Sequence, residues 1–330
     1  MRGWVALAAA ALAVFSSARA EEEFPVPLNA DWRAVEIASA PYQIRGDAAP
    51  DAALKAGSLI YRGGVELTSP DRAFGGFSGI LVSENGARLT AVSDRGQWLE
   101  AALDYDAARR LAGVRDGRMA AITDKDGVVL AGSIADAESL SLSGDGRLFV
   151  SFEREHRVDA YRIDENGMIV FDFRFAEFTD DAPPYNDGVE SVTVLDDGVL
   201  VLSEKPFASG TNGYFFDPDG ERRPIRFSDK KDYAVTEAAR LGDDFYILER
   251  AFSKLKGVRA RLLRAPLPSA DDLTLDAELL TQLSAPYVVD NMEGLDARRG
   301  PNGETLLYVM SDDNHSDRQK TILLMFEVAE

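Results

Sequence analysis

Short apolar-alternating runs recur along the chain in pairs, each pair joined by a Gly-, Asp- or Asn-containing turn. The clearest pair is Ala137-Glu138-Ser139-Leu140-Ser141-Leu142 and Arg147-Leu148-Phe149-Val150-Ser151-Phe152, joined by Ser143-Gly144-Asp145-Gly146. Alternation with period two flanking such a turn predicts a β-hairpin. Four further hairpins share the pattern. They start at Phe77-Ser78, Val189-Glu190, Thr236-Glu237 and Met292-Glu293, and their second strands end at Asp94-Arg95, Glu204-Lys205, Glu249-Arg250 and Asp312-Asp313-Asn314. Taking 78, 138, 190, 237 and 293 as equivalent positions, the period runs between 47 and 60 residues. Several strands per unit at about that period predict a β-propeller.

The outer strands complete the units. Candidates are Trp98–Leu103 with Arg118–Ile122, Val158–Ile163 with Ile169–Phe173, Gly213–Phe216 with Arg223–Phe227, and Val258–Leu263 with Leu275–Leu280. Ala107–Leu111 suggests a short helix in a long insertion. The last unit supplies only three strands, ending with Thr321–Val328. Leu59–Leu67 is the expected fourth, so that strands from both ends of the chain close the ring in one blade. The expectation is an all-β propeller of five blades with four antiparallel strands each. A sixth blade drawn from residues 21–56 and 104–130 stays open as an alternative.

Before the repeats, Met1-Arg2-Gly3-Trp4, the apolar run Val5–Phe15 and Ala18-Arg19-Ala20 read as a signal peptide cleaved near Ala20. The run is too short to span a bilayer, which takes about 20 apolar residues. The expected organisation is a signal peptide at 1–20, a lead-in segment at 21–56 and the propeller at 57–330. The expected location is periplasmic or secreted. No later stretch predicts insertion into a membrane.

The formal net charge of −20 over 330 residues disfavours nucleic acid and anionic lipid as partners. The chain has no cysteine, which excludes thiol catalysis, thiolate metal sites and disulfides. Its length suffices for a self-stabilising core, and a monomer is expected.

The chemistry concentrates at one end of the hairpins. Ser78, Glu138, Glu190, Glu237 and Glu293 are expected to form one ring around the channel. Asp94, Glu153, Glu204, Glu249 and Asp312 form a second, and antiparallel pairing brings both rings to one mouth. So many carboxylates raise one another's pKa unless compensated. Arg95, Arg154, Lys205 and Arg250 each follow an acid and supply positive charge. Glu138, Glu190, Glu237, Glu293 and Asp312 offer oxygens to a hard cation such as Ca²⁺, with Asn186, Asp187, Asn291 and Asn314 beside them. His156 and His315, the only histidines, fall near the same mouth as general-base candidates. Ser78 has no Gly-x-Ser-x-Gly elbow to make it a nucleophile. A purely structural set of Arg–carboxylate latches between blades is the competing reading.

Phe74-Gly75-Gly76-Phe77-Ser78-Gly79, Val92-Ser93-Asp94-Arg95-Gly96, Asp187-Gly188-Val189-Glu190-Ser191, Leu248-Glu249-Arg250, Asn291-Met292-Glu293-Gly294-Leu295 and Ser311-Asp312-Asp313-Asn314 resemble the bacterial family called esterase-like activity of phytase. The resemblance covers about residues 57–328. It implies a secreted propeller with esterase or phosphoesterase activity, although the multi-aspartate calcium pattern of true phytases is missing. The expected function is hydrolysis of a small phosphoester or carboxylester, assisted by Ca²⁺. Glu190, Glu138, Arg95, Arg154, Lys205 and Arg250 are the catalytic candidates, and Ser78, Asp94, His156 and Asn314 the substrate contacts. A non-catalytic propeller that binds a ligand or protein is the alternative.

Overall fold

The computed structural model describes residues 31–46, 54–227, 233–268 and 272–329. The proposed signal peptide, and the lead-in segment as far as residue 30, lie outside them. The described residues are all-β. Their helical content is one 3₁₀ turn, Gly132–Ala135. Residues 107–111, read above as a short helix, instead turn a hairpin. The Asp106 carboxylate accepts the amides of Ala108 and Arg110 at 2.8 and 3.0 Å, and Arg109 turns left-handed at φ +58°. An aspartate bonding to the backbone two and four residues on favours a turn over a helix. No helix among the described residues is long and apolar enough to cross a membrane.

Twenty strands carry the architecture. The first, β1 (Leu59–Thr68), is used last. The first sheet is β2 (Phe77–Val82), β3 (Arg88–Ser93), β4 (Gln97–Tyr105) and β5 (Leu111–Ala121), and the second is β6 (Ala137–Leu142), β7 (Leu148–Phe152), β8 (Arg157–Ile163) and β9 (Ile169–Glu177). The third is β10 (Val189–Leu195), β11 (Gly198–Ser203), β12 (Gly213–Phe216) and β13 (Arg222–Pro224), and the fourth is β14 (Ala234–Leu241), β15 (Asp244–Ser253), β16 (Gly257–Pro266) and β17 (Glu278–Leu283). In the last sheet β18 (Asn291–Arg299), β19 (Thr305–Asp312) and β20 (Thr321–Val328) are completed by β1, which pairs antiparallel with β20. Strands from the two ends of the repeat region thus share one sheet, and a single parallel pairing of Gly63 in β1 with Leu111 in β5 makes the last and first sheets continuous.

The outer strand of the fourth sheet starts later than the apolar pattern suggested. Thr274–Leu275 instead pairs in parallel with Arg226–Phe227, tying the third and fourth sheets together. Ala38–Pro41 and Lys55–Ala56 pair along β1, and Arg33–Val35 pairs with β5. The lead-in segment therefore covers sheet edges that would otherwise offer unpaired amides. Neither residues 31–46 nor 104–130 add a further four-stranded sheet.

The arrangement is propeller-like. Each sheet's first strand packs on the first strand of the next, and β18 of the last returns to β2 of the first. Apolar side chains fill the wedge between each neighbouring pair. Trp98 of the first sheet meets Phe152 and Tyr161 of the second, for example, and Leu248 and Leu262 of the fourth meet Leu307 and Phe326 of the last. Burying each such side chain contributes roughly 1.5–3 kcal/mol. At the channel the first strands have no further ladder partner, and polar side chains serve their free edges. Ser139 Oγ accepts the Val192 amide at 3.0 Å, Ser141 Oγ accepts that of Val194 at 3.0 Å, and an Asp296 oxygen accepts that of Val82 at 2.6 Å. Thr193 donates to the Ala238 carbonyl at 3.0 Å. Satisfying these buried backbone groups explains why Ser and Thr interrupt the apolar runs of the inner strands.

Candidate functional site

The first strand of every sheet carries a β-bulge near its start. Register skips one residue between Phe77 and Gly79, between Ala137 and Ser139, between Val189 and Ser191, between Val235 and Glu237, and between Met292 and Gly294. A bulge removes one residue from the ladder and re-aims its side chain. The five bulged residues are Ser78, Glu138, Glu190, Thr236 and Glu293. Thr236, not Glu237, therefore holds the ring position of the fourth sheet, and the fourth repeat reads one residue out of step. Glu237 occupies the position filled by Gly79, Ser139, Ser191 and Gly294. It is buried there, accepting the Ala238 amide at 2.9 Å and the Ser139 hydroxyl at 2.8 Å.

The same offset changes the second ring. Asp94, Glu153 and Glu204 each donate their amide to the residue two before the bulge, at 2.8, 2.9 and 3.0 Å, and Asp312 pairs with Asn291. In the fourth sheet the equivalent pairing is Ala234 with Arg250. Glu249 turns instead into the flank of its own sheet, where Arg261 meets it at 2.5 Å. One guanidinium thus stands where the sequence suggested a carboxylate. Arg250 reaches Glu293 at 3.2 Å and Glu204 at 4.0 Å, and donates to Asn291.

The second sheet holds the densest group of acids. Asp136, Glu138 and Glu153 each place a carboxylate oxygen within 4.8 Å of the others. Asp136 was not singled out by the sequence reading. It stands two residues before Glu138, just ahead of the strand, with the bulge turning Glu138 back toward it. Arg154 Nε lies 3.0 Å from Asp136 Oδ2, without the alignment of a hydrogen bond. The Gly188 amide donates to Glu153 at 3.1 Å.

Burial dominates the protonation of this mouth. It pushes Asp136 up to about 8, against the pull of Arg154 and with Glu153 and Asp94 adding to it. Glu138 rises well above the carboxylate range, through burial and then through Asp136 and Glu153. Glu190 rises for the same reason, with Glu138 and Glu153 next to burial. Glu293 reaches about 7, where burial outweighs Arg250, and Asp312 is raised by burial and by Asp94. Burial thus favours the protonated form of these groups unless positive charge arrives. Asp94 Oδ1, Asp136 Oδ2 and Glu293 Oε2 are buried without a hydrogen-bond donor. Of these, Asp136 belongs to the close group with Glu138 and Glu153, and that group of carboxylate oxygens fits a hard cation.

The other candidates gather more loosely. Arg95 is half-buried in the turn after Asp94. Lys205 Nζ is exposed, 3.8 Å from Glu204. Asn186 accepts Arg154 Nε at 3.3 Å. His156 is buried with Nδ1 unpartnered, and burial lowers its pKa, favouring the neutral ring. Asn314 and His315 both take left-handed backbone, φ +49° and +46°, in the loop leaving Asp312. Asp313 ties that loop to the first sheet by accepting the amides of Gly76 and His315, both at 2.9 Å. His315 Nε2 lies 3.5 Å from Asp94 Oδ1. Ser78 is buried and bonded to neither histidine among the described residues. Beside Arg250, a cavity of about 520 Å³ is lined by Glu204, Lys205, Asn212, Tyr233 and Phe252.

Among solved structures, a protein provisionally described as a gluconolactonase is similar at 14% identity and a TM-score of 0.43, covering 93% of this chain and 94% of that one. Virginiamycin B lyase from Staphylococcus aureus is similar at 10% and 0.39, covering 80% and 98%. The luciferin-regenerating enzyme is similar at 11% and 0.41, covering 76% and 92%. No curated protein sequence matches the chain. Residues 72–315 match the family described as esterase-like activity of phytase. That span takes in every ring position of all five sheets, and the chain belongs to this phytase-like family.

Proposed function

We propose that this protein is an exported, monomeric, five-bladed propeller hydrolase that cleaves a small phosphoester or carboxylester at the acidic mouth. The observation that carries the reading is the division of the mouth into two halves. Asp136, Glu138 and Glu153 crowd three carboxylates together on one side. On the other, Arg250 and Lys205 border the cavity of about 520 Å³. One half suits a cation and the other an anionic or polarised ester oxygen. Membership of the phytase-like family supports ester hydrolysis. The signal-peptide pattern at residues 1–20 supports export to the periplasm or medium.

In this reading Asp136, Glu138 and Glu153 hold a divalent cation, with Ca²⁺ the favoured identity. Bound there, it would supply Lewis acidity toward the ester oxygen. The Arg250 guanidinium orients the anionic group and meets the charge that grows on it in the transition state. Glu293, near 7 and with Oε2 unpartnered, is suited to take the proton of the attacking water. Glu190, whose protonated form burial favours, gives its proton to the departing oxygen. A water oxygen joins phosphorus or the acyl carbon, the ester bond to the leaving oxygen breaks, and both protons are accounted for.

The test is turnover of glycerol 2-phosphate and ethyl butanoate, whose alkoxide leaving groups need a proton, by the mature protein, in chelator and with Ca²⁺ restored. The expected result is Ca²⁺-dependent hydrolysis of one ester class, reduced at least a hundredfold in Glu190→Gln, in line with the usual worth of a general acid. Absence of turnover with either ester in either condition overturns the enzyme. Cation binding without turnover would instead make this a ligand-binding propeller.

A further inference from the structure

A second cavity, of about 610 Å³, opens between the first and last sheets. It lies at the other end of the inner strands. The turns Glu84-Asn85 and Gly300-Pro301-Asn302 line it, and they follow β2 and β18, whose opposite ends carry the ring. A strand of six residues separates the two ends by about 20 Å. The wall includes the apolar side chains of Leu306 and Met325 and the ring of Tyr105.

Arg298 also lines this cavity and is only 8% exposed. Its Nε and one terminal nitrogen donate to the Tyr308 hydroxyl at 3.1 and 2.9 Å, and the other terminal nitrogen donates to the Arg299 carbonyl at 3.0 Å. A guanidinium has five N–H groups; the Tyr105 hydroxyl is a further partner, which leaves one. The hydroxyl network continues from Tyr308 to Tyr105 at 2.9 Å and on to the Gly86 carbonyl at 2.7 Å, which fixes the guanidinium in place. No carboxylate among the described residues lies within ion-pair distance of it. Of the three acids that line the cavity, Glu327 is engaged by Arg62 and Glu304 by the Asn302 amide, both at 2.8 Å, and Glu84 lies in the turn after β2 with no ion pair to Arg298. A charge this deep is costly without a counter-ion. Arg299 and Arg109 add positive charge among the lining residues.

We infer that this cavity is a second ligand site, separate from the acidic mouth, for a small carboxylate with an apolar body. The carboxylate takes the remaining N–H of Arg298 in a charge-assisted hydrogen bond and supplies the missing counter-charge. The body lies on Leu306, Met325 and Tyr105. The volume falls within the usual range for small-molecule sites. Glu304 and Glu327 disfavour ligands with several negative charges. Because the cavity spans the seam where β1 meets β5, an occupant bridges the first and last sheets.

The test uses 3-phenylpropanoate and decanoate as probes, with 3-phenylpropylamine as the charge-reversed control, read by calorimetry and thermal melting. The expected result is one carboxylate bound per chain with a raised melting temperature, and no binding of the amine. Ala108→Trp fills the exposed rim without touching the core. It should weaken binding at least tenfold while leaving the unliganded melting temperature and Ca²⁺ affinity unchanged. Arg298→Lys, which keeps the charge but loses the planar fork, should also weaken it at least tenfold. Failure of both carboxylates to bind, equal binding of amine and acid, or affinity that survives Ala108→Trp overturns the proposal. Each readout is binding or melting, so none depends on whether the acidic mouth is an active site.

Discussion

Replacing Glu293 by Gln tests whether burial governs the mouth. Glu293 is a carboxyl whose folded-state pKa of about 7 lies above its ordinary value of 4.5. Below 4.5 the group is protonated in folded and unfolded chains alike and costs nothing. Between 4.5 and 7 the unfolded chain ionises first, so stability falls as pH rises. Above 7 the full cost is present. A shift of about 2.5 units at 1.36 kcal/mol each corresponds to about 3 kcal/mol. Little of it is lost to solvent screening, because the side chain is 9% exposed. Glutamine keeps a carbonyl oxygen to accept from Asn291, which now bonds Glu293 Oε1 at 2.8 Å, but it cannot ionise. Urea denaturation in chelator at pH 4 and pH 8 measures the difference directly. The wild type should lose about 3 kcal/mol more than Glu293→Gln between those two pH values. Equal losses would refute the reasoning, since the carboxyl would then titrate in the folded chain as it does in the unfolded one.

Three further outcomes follow from the same geometry. Asp136→Asn should weaken Ca²⁺ binding at least tenfold by calorimetry, whereas Glu237→Gln, one residue off the ring, should leave it unchanged. Arg250→Met should destabilise the chelated protein by about 2–4 kcal/mol at pH 8, toward the lower end of the range for breaking a buried pair because Arg250 keeps some exposure. At pH 5 the loss should shrink, because Glu293, with a folded-state pKa of about 7, is then protonated, and urea denaturation at the two pH values reads this. Ca²⁺ binding at pH 7 should release a proton from Asp136, whose pKa is about 8, seen as heats that vary with the buffer's ionisation enthalpy; at pH 9 that release should largely vanish.

The alternation of the chain was enough to place the strands, because each sheet buries apolar residues on faces that follow a period of two. It was not enough to place the fourth ring position. A bulge sets two residues of one strand against one of its partner, and this breaks the period where it matters most. The glutamate at 237 looked equivalent to Glu138, Glu190 and Glu293. A better signal was the residue before the bulge, which is apolar in every sheet: Phe77, Ala137, Val189, Val235 and Met292. Thr236 does not fit that anchoring position, and Glu237 falls where the other repeats place Gly or Ser. Asp136 was missed because it precedes its strand, although its spacing from Glu138 was visible. The cavity around Arg298 was not legible at all. It forms between sheets whose residues lie about 200 positions apart.

The one-residue offset also bears on why the mouth suits chemistry. A ring of five equivalent carboxylates would repel itself evenly and favour no particular place for a ligand. The bulge puts Thr236 in place of an acid, and the same register shift brings Arg250 to the neighbouring ring. The fourth sheet therefore faces the channel with positive charge while the second faces it with three crowded carboxylates. Glu293, paired with Arg250 at 3.2 Å, and Glu190, which both halves influence, stand between them. The ester hydrolysis proposed above would use that polarity, with one side to polarise the ester and the other to hold its anionic group. Broken repetition at one sheet thus turns an acidic ring into a site with direction.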